Sequence, residues 1–236
     1  MMRSLVLLVL LAGCAAVPQS PPPGMPQSVG APRVNSGDSW VYQQRDGYTA
    51  LPRGTVRYSV VEVRDASFVV ELSGDGAPPI ARETYTRDWN WIEKPIVTGV
   101  NYRYEPAYPA FAFPLEAGRT WKSTVNATDP RTGKTHRMQI HGAVIGWERV
   151  KVPAGEFDTL HVRRLVYAGD HDHFRGETHI AEHDWYAPAI GQFVKHQHSS
   201  GYRDNMRGSD GLFDDGGWIN GDWIIAELVS YQAARR

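Results

Sequence analysis

The sequence predicts an all-β domain, an antiparallel and strongly curved sheet closing into a barrel, on three observations. After Gly37 the chain keeps returning to period-two alternation rich in β-branched and aromatic residues. Gly, Pro and Asp punctuate these runs at turn positions. Every stretch that could host a helix of about ten residues is interrupted by Gly or Pro. A meander of this length must hide its edges, and closure does so completely; a two-sheet β-sandwich is the alternative.

The strands follow in order: DSWVYQQ from Asp38, TVRYSVVEV from Thr55, SFVVELS from Ser67, TWKSTVNAT from Thr120 and HRMQIHGAVIGWERV from His136. TLHVRRLVY from Thr159, THIAEHDWY from Thr178, GQFVKHQHS from Gly191 and WIIAELVSY from Trp223 complete the set. Asp65-Ala66 sits between two alternating runs, as a hairpin requires. In VKVPAGEFDTL, Pro153 presets a turn and Gly155 supplies a backbone free to take positive φ. Pro188 and Gly191 bracket the loop between the two histidine-bearing strands.

Ahead of the domain, residues 1–13 read as a signal peptide: Arg3, an apolar run from Leu5 to Leu11 too short to span a bilayer, and a small-residue end. Leu11-Ala12-Gly13-Cys14 resembles the lipobox of bacterial lipoproteins, which implies diacylation of Cys14. Cys14 is the single cysteine, so the domain has no disulfide of its own. Ala15 follows where lipoproteins retained in the inner membrane usually carry Asp, and the resemblance therefore implies the outer membrane, periplasmic side. Residues 14–37 hold six prolines and no apolar period, the pattern of a disordered tether. Residues 38–232 form one domain and 233–236 a short tail.

Without Arg3, 24 of the 25 basic residues remain against 26 acidic ones. This balance, with no basic cluster, argues against nucleic acid. No Gly-x-Ser-x-Gly elbow, phosphate loop or dinucleotide fingerprint is present, and no catalytic residue is assigned, so the expectation is that the protein is not an enzyme.

Two sets of residues carry the candidate chemistry. Asp88–Leu115 is dense in aromatics: Trp91 shares a strand face with Trp89, Tyr102 with Tyr104, and Phe111 with Phe113. With Trp121 these line a candidate apolar pocket of several hundred cubic ångströms for a lipid-like ligand, against ordinary core packing. Seven of the nine histidines fall between His161 and His198. The ordinary reading is a polar, solvent-facing β surface. If the hairpin register opposes His183 to His196, then His183, His196 and His198 form a candidate zinc or copper site, and a one-residue slip removes it. Asp210, Asp214 and Asp215 lie in an acidic, glycine-rich segment without the ligand order of a calcium loop.

FPLEAGRTW from Phe113, VPAGEFDTLHV from Val152, DWYAPAIGQFVKH from Asp184 and AELVSY from Ala226 resemble, in order and spacing, the TapB-like envelope proteins. The resemblance spans most of residues 38–232 and implies a barrel-like domain but no catalytic residues. Ala189 and Ile190 depart from the Gly-Val that the motif usually carries after Trp-Tyr-Ala-Pro, which puts the geometry of that turn in question. Together these features predict a lipid-anchored, non-catalytic envelope module binding an apolar ligand; the alternatives are an assembly partner of an envelope complex, or metal binding through the histidine strands.

Overall fold

The computed structural model describes residues 20–74, 79–96, 100–169, 175–204 and 217–234. The signal peptide, Cys14, His171, His173, Asp210, Asp214 and Asp215 lie outside the described residues.

The strands are β1 (Ser39–Asp46), β2 (Pro52–Val63), β3 (Ser67–Ser73), β4 (Pro79–Thr86), β5 (Trp91–Lys94) and β6 (Tyr102–Tyr108). They continue as β7 (Thr120–Thr128), β8 (Thr135–Val152), β9 (Gly155–Tyr167), β10 (Arg175–Ala187), β11 (Gln192–Asp204) and β12 (Trp218–Gln232). Each pairs antiparallel with its neighbours in sequence, and β1 pairs with β2 on one side and β12 on the other. That last ladder, from Ser39↔Gln232 to Asp46↔Ile224, closes the cylinder and excludes the sandwich. Closure pairs the two strands that would otherwise be free edges, β1 and β12, although β6 meets β7 only through Arg103–Glu105. No α-helix occurs among the described residues.

Alternation explains why these segments are strands. In β7, Val125 and Ala127 are buried while Thr120, Lys122, Thr124 and Asn126 are exposed. In β8, Met138, Ile140 and Val144 face inward; a bulge at Ile145, 46 % exposed, then resets the phase so that Trp147 also faces inward. The turns follow their residues. Arg64 N donates to Ser67 O at 2.8 Å around Asp65-Ala66, and Pro153-Ala154 joins the paired residues Val152 and Gly155, with Gly155 at φ 132°.

The segment expected as a free tether behaves differently over its described part. Val29 exchanges two backbone hydrogen bonds with Leu115, of 2.9 and 2.8 Å, and both residues are buried, as is Val34. Gly37 N donates to Val60 O at 2.8 Å, and Asp38 caps the C-terminal end by accepting from Ala234 N at 2.8 Å. Burying Val29, Val34 and Leu115 offsets the conformational entropy that a proline-rich segment otherwise keeps. From Val29 onward this segment is part of the domain.

Candidate functional site

The cross-strand register of β8 to β12 assembles a charged row on the inner wall. Gly142 stands opposite Arg164, Arg164 opposite Glu182, and Glu182 opposite His198. The next row places Asp184 opposite His196 and His196 opposite Ala226. Directly paired residues point to one face, so one inward phase of each strand collects Arg164, Glu182, Asp184, His196 and His198.

Arg164 is the hub. Its Nε donates to Glu182 Oε2 at 3.0 Å, its Nη2 lies 2.6 Å from Asp184 Oδ2, and its Nη1 donates to Ala110 O at 2.9 Å. All three side chains are buried. Tyr108 donates to Glu182 Oε2 at 2.8 Å, His198 Nδ1 lies 3.5 Å from Glu182 Oε1, and His196 Nδ1 lies 2.7 Å from Asp184 Oδ1. Across the interior, Lys94 Nζ donates to both oxygens of Glu83 at 2.9 Å, and Tyr85 donates to the same carboxylate. Burial opposes ionisation of Glu182 and Asp184, yet the Arg164 guanidinium prevails and holds both below the usual carboxylate range. Burial likewise opposes charge on Lys94, and Glu83 outweighs it, raising the ammonium's pKa. Desolvation raises the hydroxyl pKa of Tyr42, Tyr85, Tyr104 and Tyr108 and pushes Tyr58 up to about 12, so these phenols stay neutral, and the first four donate hydrogen bonds.

The six residues expected to line an apolar pocket are in or against the wall, but they fill it. Trp91 stacks on Tyr108 with centroids 4.0 Å apart, and the Tyr104 hydroxyl donates to Lys94 O at 3.1 Å. Tyr102 is buried edge-on to His136, and Phe111 and Phe113 pack on Tyr186, each at 5.5 Å. Trp121 covers Gly142, whose absent Cβ would meet the indole at 2.0 Å, and its Nε1 donates to Pro109 O at 3.1 Å. Of the six, Trp91 and Phe111 line the interior space they share with Lys94, Arg164, Asp184 and His196, and that space is about 50 Å³. Among the described residues, the space that Trp91 and Phe111 line is smaller than the several hundred cubic ångströms expected. Charged side chains enter the barrel and the aromatics stack on them, with Arg164 5.7 Å from the Phe111 centroid and Lys94 5.3 Å from that of Trp91.

The histidines separate into two groups. His196 and His198 face inward, whereas His183 faces outward and pairs with Gln197, so the expected three-histidine set is not assembled. The reason is a register shift between Trp185 and Tyr186. Tyr186↔Phe193 continued without it would oppose His183 to His196; the extra residue moves Asp184 into that place. On the outer face His183 Nδ1 lies 2.8 Å from His161 Nε2, and His161 Nδ1 lies 2.8 Å from Glu148 Oε1. Trp185 stacks on His161 and donates to Glu148 Oε2 at 2.7 Å. Burial, then the charge of His161, pushes His183 down to about 4.

Glu83, Lys94, Arg164, Glu182 and Asp184 are the site residues the histidine and aromatic motifs did not indicate. The available signal was phase: Thr178, Ile180, Glu182, Asp184 and Tyr186 occupy one alternation, so two acids share the face of the apolar residues.

Fold and site together define a class, a closed antiparallel barrel cross-braced by buried ion pairs. Among solved structures its fold is similar to that of a candidate lipoprotein from Parabacteroides distasonis, with a TM-score of 0.50 and 14% identity over 88% of this chain and 100% of that one. Identity that low extends the likeness to the fold alone. A candidate exported protein with YmcC-like fold from Bacteroides fragilis follows at a TM-score of 0.48, with 12% identity over 87% of this chain and 100% of its own. The hypothetical lipoprotein YmcC from Escherichia coli has a TM-score of 0.45 and 9% identity over 84% of this chain and 86% of its own. No family model and no curated protein matches the sequence, so the resemblance to TapB-like proteins rests on the quoted motifs alone.

Proposed function

We propose that the chain is a lipid-anchored protein of the bacterial envelope, held through Cys14 at the periplasmic side of the outer membrane, whose barrel serves as a non-catalytic assembly module. The anchor rests on Leu11-Ala12-Gly13-Cys14 and Ala15. The Parabacteroides neighbour's own description as a lipoprotein, and the TapB-like motifs, support it. The observation that carries the module reading is the small interior cavity: at about 50 Å³ it is far below the 300–1,000 Å³ of a typical small-molecule pocket.

The outer surface offers more. A groove of about 270 Å³ lies among Tyr48, Tyr167, His179 and Trp218, with Tyr48 and Trp218 about half exposed. Exposed aromatics around one groove suit a protein partner. A second reading, a lipid-like ligand bound outside the barrel, draws on a hollow of about 590 Å³ lined by residues including Val34, Trp40, Ile190 and Tyr231.

The test is in cells. Wild type takes up labelled palmitate and fractionates with membranes, and Cys14→Ser loses both. A photo-crosslinking residue replacing Trp218 gives a discrete envelope adduct, and one replacing Ile80, exposed on β4, gives none. Palmitate-free wild type contradicts the anchor; absence of any adduct at Trp218 and at Tyr48 contradicts the assembly role.

A further inference from the structure

We infer that Glu182, His196 and His198 form a binding site for one divalent transition-metal ion, zinc by its donor set, on the inner wall of the barrel. One ligand atom from each residue lies within 4.8 Å of the others. Zinc ligands at about 2.0–2.2 Å in tetrahedral array sit roughly 3.3–3.6 Å from one another, so the set has to contract by about an ångström to hold the ion. His198 Nδ1 and Glu182 Oε1 are already 3.5 Å apart.

The surrounding groups prepare each ligand. Asp184 is acceptor-only as a carboxylate, so at 2.7 Å it fixes the proton of His196 on Nδ1 and leaves the ring's lone pair on Nε2. Asp184 is itself held by Arg164 at 2.6 Å, giving the carboxylate–histidine arrangement that orients metal ligands. Glu182 uses Oε2 for Arg164 and Tyr108, which leaves Oε1 for the ion. Charge favours a cation here: Glu83, Glu182 and Asp184 stand against Lys94 and Arg164, an excess of one negative charge with both histidines neutral. His196 and His198 retain 22 % and 15 % side-chain exposure, and His196 borders the 50 Å³ cavity, a volume with room for one water as a fourth ligand.

Two imidazoles and one carboxylate suit zinc, whereas calcium and magnesium take oxygen ligands throughout, and the lack of thiolate disfavours copper(I). The competing occupants are protons, which would convert the histidines into imidazolium partners of Asp184 and Glu182. Metal and proton make opposite demands on the same nitrogens.

The experiment uses the full chain, chelator-stripped in detergent at pH 7.5 and titrated calorimetrically with zinc chloride alone. The site predicts one saturable equivalent. His196→Gln and His198→Gln each abolish it, the outward His183→Gln leaves it unchanged, and Asp184→Asn weakens it by about 10- to 100-fold. Absence of saturable binding overturns the inference, as does binding that survives both inner histidine changes. X-ray absorption of the zinc-loaded wild type keeps the test decisive if the variants misfold: two imidazoles with oxygen neighbours support the site, and one or none overturns it.

Discussion

Replacing Arg164 with Met preserves most of the side chain's volume and removes the charge that neutralises two buried carboxylates. In the wild type Arg164 meets Glu182 at 3.0 Å and Asp184 at 2.6 Å, with all three side chains no more than 4 % exposed. Without it, Glu182 keeps Tyr108 and His198, and Asp184 keeps His196, none of them a permanent cation. Breaking a buried ion pair by removing one partner costs about 3–5 kcal/mol, because a charge is left in a medium that solvates it poorly. For a domain of this size each kcal/mol moves the melting temperature by about 2–4 °C, so Arg164→Met should melt roughly 6–20 °C below wild type. The triple variant with Glu182→Met and Asp184→Leu should recover part of that loss, since apolar groups replace the stranded charges. Thermal denaturation followed by circular dichroism measures both. A melting temperature for Arg164→Met within 2 °C of wild type would refute the claim that this network braces the barrel.

Two further outcomes follow from particular contacts. Gly142→Ala pushes a methyl into the Trp121 indole and costs about 1–3 kcal/mol of overpacking, read as a melting shift of roughly 2–12 °C. His183 has a folded pKa of about 4 against 6.5 unfolded, so the folded state resists its protonation. Stability is thus fully present above pH 6.5, declines as pH falls toward 4 and is flat below; urea midpoints across that range should show the slope, and His183→Gln should flatten it.

Where alternation was clean, the strands were legible to the residue: SFVVELS and TWKSTVNAT are β3 and β7 with the same ends. Pro79, Pro106 and the four-residue length of β5 obscured β4 to β6, because short or proline-bearing strands carry little periodic signal. Val29 and Val34 docked where composition alone indicated a tether, since composition counts prolines but cannot see the two backbone hydrogen bonds waiting at Leu115. The site was half legible. His196 and His198 do share a face, but the third member is Glu182 and not His183, and the difference is one register shift beside Tyr186. Single-residue shifts of register are invisible to a period of two, yet each reverses every side chain beyond it.

The buried ion pairs of Arg164 and Lys94 predict an interior occupied by the barrel's own side chains in place of lipid. Native mass spectrometry of the Cys14→Ser full chain, before and after organic extraction, tests this most directly. The expected result is the bare polypeptide mass, with at most one zinc ion that chelator removes. A stoichiometric lipid that survives purification and leaves on extraction would contradict it if Arg164→Met abolished the adduct.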